Sequence, residues 1–251
     1  MKIIKLNIFT IYFLIISFFC GLIKNSLIII IIVLFHELGH ILFLKIFRIK
    51  IKKIIIYPFG GITYVDKDIN YPINKELLIS CGGILFQIIL FIIIYFLPIN
   101  ILTKDIFYKY NIIIILFNIL PIMPLDGSII LNSIFNKYLS FKKSYYLKII
   151  ISIIFLIILI QFNNYYSLNN YLILVFLMFK IYEGIINYKY INNKFLLERF
   201  LNNYCFKKIH NNTKKIDDLK LETYHYFKDK DRIISEKKLL SKLFDKSTYF
   251  W

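Results

Sequence analysis

Residues 27–47 read LIIIIIVLFHELGHILFLKIF, an apolar stretch in which only His36, Glu37, His40 and Lys45 can carry charge. The run is long enough to cross about 30 Å of hydrocarbon as a helix. Helical geometry therefore governs the charged residues: four positions rotate the chain by about 400°, so His36 and His40 leave the same face and can hold one metal ion. Glu37 follows His36 directly and sits close to a metal-bound water without ligating. With four His and six Glu in the chain, HExxH arises by chance about 0.002 times. An ionisable group at this depth costs at least about 2.5–3.5 kcal/mol. Three within five positions call for a compensating charge, which a divalent cation provides.

The rest of the chain has the same character. Of 251 residues 59% are hydrophobic and 18% aromatic, with a mean hydropathy of +0.66, too apolar for a water-soluble surface. The net charge of +17 comes from 32 Lys and Arg. These sit in loops and tail and follow the Ile, Asn, Lys and Tyr bias of an AT-rich genome, so a nucleic-acid partner is not expected. Cys20, Cys81 and Cys205 form no CxxC pair and imply neither a disulfide frame nor a thiolate metal site.

Apolar runs predict six spans, at 6–23, 27–47, 76–97, 109–134, 146–162 and 169–188. Met1 to Cys20 has the charged start of a signal peptide without its cleavage pattern, and is read as a retained first span. Lysine and arginine crowd the 45–53 and 137–148 loops, which predicts a multi-pass cell-membrane protein with those loops and both termini in the cytoplasm. Tyr57-Pro58-Phe59-Gly60-Gly61 breaks helix, and Ile62 to Val65 favours strand, so a short β-hairpin or re-entrant loop is expected after the second span. The expected fold is all-α integral membrane: a membrane-embedded domain over 1–190, then a small polar, basic cytoplasmic tail over 191–251. A short helix is read at Glu236–Phe244 from its apolar spacing.

A hydrolytic zinc site takes three protein ligands and leaves a fourth position for water. His210 and His225 lie in the polar tail, and the only acids between Leu77 and Tyr182 are Asp105, in an expected loop, and Asp126, inside the expected fourth span. Asp126 ends the run NILPIMPLD (118–126), where Pro121 and Pro124 interrupt helical hydrogen bonding. Broken backbone at membrane depth is tolerated where it lines a cavity or packs on protein. The expected orientation puts His36, His40 and Asp126 on the cytoplasmic side of midpoint, within reach of one ion. Glu183 is read as an ion pair with Lys180, and Gln87 as a hydrogen bond between helices.

HELGH, then Pro58-Phe59-Gly60-Gly61, then Cys81-Gly82-Gly83, then NxxPxxPLDG resembles the site-2 protease family of intramembrane zinc metalloproteases (M50), over about residues 27–135, and within it the sporulation group. The resemblance implies one Zn²⁺ held by His36, His40 and Asp126, with Glu37 as the catalytic base. It implies a substrate-facing or orienting role for Asn118; from their helix-breaking character, Pro121 and Pro124, with Gly60 and Gly61 of the Pro58–Gly61 loop, are read as supplying an edge or cleft for an extended substrate. The implied reaction is cleavage of a membrane-embedded or membrane-associated protein, including a sporulation pro-sigma factor, with the bilayer and membrane regulatory proteins as further partners. Two features depart from the group: Cys81-Gly82-Gly83 replaces a small-residue and Pro pattern, and a tail of about 60 residues is short for a nucleotide-sensing CBS pair. The alternatives are a CAAX or heat-shock type membrane metalloprotease, which takes Glu as third ligand and needs an ExxxD or ExxxE partner absent from the later spans, and a metal transporter, which has no use for Glu37.

Overall fold

A computed structural model of the chain describes residues 4–57, 60–162, 168–229 and 232–245. The described residues fall into two compact units, Met1–Lys67 with Leu77–Leu120, and Asp68–Glu76 with Pro121–Trp251.

In the first unit, strand β1 (Ile4–Leu6) precedes helix α1 (Ile8–Phe19) and helix α2 (Ile23–Ile46). Strands β2 (Lys50–Tyr57) and β3 (Gly60–Asp66) pair antiparallel from Lys50↔Asp66 to Tyr57↔Gly60. β1 lies parallel on the far side of β2, giving the order β1-β2-β3 with β3 at an edge. Pro58 and Phe59 of the expected loop lie outside the described residues. Helices α3 (Ile73–Phe96) and α4 (Ile101–Ile119) follow, and Ile28, Ile32, Leu90, Ile94 and Phe107 form the core they share with α2.

In the second unit, α5 (Asp126–Tyr138), α6 (Phe141–Phe162) and α7 (Leu168–Leu201) lead into β4 (Lys208–Thr213), β5 (Thr223–Asp229), β6 (Arg232–Ser235) and α8 (Glu236–Asp245). Phe141 stacks on Phe195 at 4.2 Å within a core that includes Leu219, Leu221, Phe227 and Leu240. α7 has 34 residues, about 50 Å at 1.5 Å each, so it outruns the hydrocarbon and carries its polar end into the tail. There Glu198 accepts from the backbone N–H of Ile69 at 2.7 Å and of Asn70 at 3.1 Å, and Arg199 pairs with Glu236 at 2.6 Å, both side chains buried. His225 is fully buried; it accepts from Lys220 N at Nε2, so its Nδ1–H donates to the Thr213 hydroxyl at 2.8 Å. Burial, then the Arg199 guanidinium, pushes it down to about 4, which keeps it neutral at pH 7. His225 is a structural side chain.

Among the described residues four helices are long and apolar enough to cross a membrane: Ile23–Ile46, Ile73–Phe96, Phe141–Gln161 and Tyr171–Leu201. Large apolar side chains on them face outward, among them Leu42, Ile92, Ile154 and Phe176, as lipid rather than water as solvent allows. The expected first span, 6–23, falls on α1, whose 12 residues are too short by themselves. The expected fourth span, 109–134, is corrected more deeply. α4 begins at Ile101, capped by the Asn100 side chain accepting from Leu102 N, so Lys104 and Asp105 stand on a helix. It stops at Ile119, and a new helix begins at Asp126, because Pro121 and Pro124 cannot donate to the helical ladder. The all-α expectation holds for the apolar helices; outside them the described residues build two three-stranded sheets, the second, β4-β5-β6, in the expected tail.

Candidate metal centre

α2 carries His36, Glu37 and His40, whose ligand-capable atoms lie within 4.8 Å of one another. His36 and Glu37 are buried and His40 half-buried, and the two imidazole rings meet at 81° with centroids 4.7 Å apart. Their Nε2 atoms face each other at 3.0 Å.

Hydrogen bonds at the other ring nitrogens assign the tautomers. His40 Nδ1 lies 2.7 Å from the carbonyl oxygen of Ile79, which can only accept, so Nδ1 carries the proton. His36 Nδ1 lies 3.0 Å from Gln87 Oε1 and carries its proton likewise. Both rings then turn Nε2 toward the same point, with 3.0 Å between the two nitrogens. Two bonds of about 2.0–2.1 Å to one tetrahedral ion would separate the nitrogens by about 3.3–3.4 Å. The observed spacing is within a few tenths of an ångström of that value, so the donor set fits a metal.

Glu37 is held in place from β3. Its Oε1 accepts from the backbone N–H of Gly61 at 3.1 Å, and its Oε2 from the Thr63 hydroxyl at 3.3 Å. A Cβ at position 61 would run into the Glu37 carboxyl group and displace it from this position. α3 approaches α2 closely through glycines of the Cys81-Gly82-Gly83 stretch: a Cβ on Gly39 would strike the Gly82 backbone, and one on Gly83 the His36 ring. Small residues at such crossings let two helix backbones come together in lipid.

Of the other expected site residues, Asn118 is a half-buried member of α4 in the first unit, and Gly60 opens β3. Asp126 is the first residue of α5, half-buried, in the second unit with Pro121 and Pro124. One side chain of α6 bonds the irregular backbone between α4 and α5: the Ser152 hydroxyl accepts from Met123 N at 3.1 Å and shares its proton between the carbonyls of Lys148 and Pro121. Ile122, between the prolines, is fully buried. Gln87, Asn111 and Thr63 were not foreseen as site residues. For Gln87 and Asn111 the available signal was an uncharged amide within a long apolar run, where a polar side chain needs a partner.

Peptidase family M50 matches residues 25–110. The chain is 34% identical over 187 residues to stage IV sporulation protein FB of Bacillus subtilis, covering 72% of this chain and 65% of that protein. It is 32% identical over 155 residues to a zinc metalloprotease of Methanocaldococcus jannaschii, covering 56% of this chain and 45% of that protein. The chain thus spans just under two thirds of the first relative and less than half of the second. Among solved structures, the site-2 protease from Methanocaldococcus jannaschii superposes with a TM-score of 0.56 at 28% identity, over 72% of this chain and 89% of that one.

Proposed function

The chain belongs to peptidase family M50, and from that premise we propose that it is a zinc-dependent intramembrane endopeptidase acting on a membrane-embedded or membrane-associated protein. The observation that carries this reading is the pair of imidazole Nε2 atoms brought together at 3.0 Å on α2, with an anchored carboxylate beside them. A transit site for metal needs the first and has no use for the second.

In this reading His36, His40 and Asp126 hold the ion; support for Asp126 is its NxxPxxPLDG context and its place at the start of a helix after broken backbone. Zinc, when bound, supplies a Lewis acid that acidifies water and polarises a carbonyl. Glu37 takes a proton from the attacking water and returns it to the leaving amine nitrogen. Gly61 and Thr63 keep its carboxylate from turning away. A helical substrate hides its carbonyls in its own hydrogen bonds, so the scissile segment must unwind. We assign its docking to β3, a sheet edge among the described residues that already contacts Glu37 and begins at Gly60, and we propose substrate-facing roles for Asn118, Pro121 and Pro124. The likeness to stage IV sporulation protein FB supports a pro-sigma factor as the substrate. Co-expression of candidate membrane-tethered precursors, read on a blot, identifies it. Purified in detergent, the protein is expected to lose cleavage on chelation and regain it with zinc; cleavage that persists in metal-free protein refutes the reading.

The chain is a multi-pass membrane protein, and six crossings with both termini in the cytoplasm are proposed from the lysine-rich 45–53 and 137–148 loops. A reporter fused after Trp251 is expected to be active in the cytoplasm. Activity confined to the other side overturns this topology.

A further inference from the structure

Gln87 is fully buried on α3, in an apolar helix, and its amide touches two things. Oε1 lies 3.0 Å from His36 Nδ1, and Nε2 lies 3.3 Å from Asn111 Oδ1 on α4. Asn111, also buried, has its own Nδ2 2.9 Å from the main-chain carbonyl of Gln87. A carbonyl oxygen accepts and never donates, so the Asn111 NH₂ must point at it. This leaves Asn111 Oδ1 toward Gln87 as an acceptor. Gln87 must then present its NH₂ to Asn111 and its oxygen to His36, and His36 must keep its proton on Nδ1. The chain of assignments begins at a peptide carbonyl that cannot change role and ends at the nitrogen facing His40.

We propose that Gln87 and Asn111 form a two-amide relay that locks His36 in the tautomer with a metal-binding lone pair on Nε2. Both act as positioning residues, Asn111 through its two hydrogen bonds to Gln87. The relay rests on the zinc reading above and adds to it the device that prepares one ligand. In a dry helix interface the histidine would otherwise be free to place its proton on either nitrogen, and the wrong choice blocks coordination. An amide lock also leaves the ligand neutral, where a carboxylate partner would bring a second charge into the hydrocarbon.

The test uses the full chain in detergent, with zinc affinity measured by chelator competition and folding checked by helical circular dichroism. Removing the acceptor in Gln87→Leu is expected to weaken zinc roughly 10- to 100-fold, the usual range for outer-shell partners. Gln87→Glu restores an acceptor and stays much nearer the wild type. Asn111→Leu is weaker than wild type but stronger than Gln87→Leu. The double variant Gln87→Leu/Asn111→Leu matches Gln87→Leu alone, because both changes act through one amide. In zinc-loaded protein labelled with ¹⁵N-histidine, Asn111→Leu also shifts the His36 Nδ1–H resonance, a readout independent of activity. Unchanged zinc affinity in folded Gln87→Leu, additive effects in the double variant, or an unmoved His36 resonance in Asn111→Leu each overturns the relay. A wild-type protein that takes up no zinc overturns the metal reading itself.

Discussion

Glu37→Gln is expected to bind zinc at the wild-type stoichiometry and to cleave about 10²–10⁴-fold more slowly, the range that a positioned general base contributes. The substitution keeps shape and volume. The amide oxygen can still accept from Gly61 N–H, which now meets the Glu37 carboxylate at 3.1 Å, so β3 and α2 stay in register. What disappears is the ability to take a proton from water and return it to an amine. The result is decisive in both directions. Zinc lost together with activity makes Glu37 a ligand and removes its role as base; cleavage that survives the change excludes it from the chemistry. In a transporter the same variant would leave metal passage largely intact, so zinc uptake into vesicles reads the rival hypothesis in the same preparation.

Asp126→Ala should weaken zinc by at least about 100-fold, beyond what outer-shell changes produce, and abolish cleavage. Asp126→Asn should retain part of the affinity, because a neutral amide oxygen is a poorer donor to a divalent cation than a carboxylate. Asp126 opens α5 immediately after Leu125, whose backbone is extended. That start lies 90 positions after His36 (126 − 36 = 90). Proximity is tested separately from affinity. With Cys20, Cys81 and Cys205 replaced by serine and Glu37→Gln in place, the pair His40→Cys and Asp126→Cys should cross-link through a short bismaleimide. A folded variant that fails to cross-link, together with full zinc in Asp126→Ala, takes Asp126 out of the site.

Much of the centre could be read from residues alone because it is local. HExxH lies on a helix that its own apolar neighbours enforce, so the spacing of His36 and His40 converts directly into a shared face. The break before Asp126 was equally legible, since two prolines forbid helical bonding wherever the chain goes. Boundaries were less so. The apolar residues on both sides of the break make 109–134 long enough to read as one span and conceal the stop at Ile119, and the apolar periodicity of 101–108 is blurred by Lys104 and Asp105, where α4 has its first turns. In the tail, only the amphipathic α8 has a local signature. β4 meets β5 in parallel and β5 meets β6 antiparallel, pairings between segments whose short polar stretches carry no alternating pattern strong enough to announce them.

What the sequence by itself determined is therefore the solvent and the reactive pair: hydrocarbon around long apolar helices, two imidazoles on one helical face, a carboxylate next to them, and irregular backbone before Asp126. Only the tertiary structure decided how those groups are held. Gln87 and Asn111 are 24 residues apart on different helices, Gly83 makes room for a ring 47 positions earlier (83 − 36 = 47), and Gly61 reaches Glu37 from a strand edge. Spacing along one helix is a property of the chain's covalent geometry. Which nitrogen of His36 keeps its proton depends on which oxygen a neighbouring helix brings to it, and that is settled by packing.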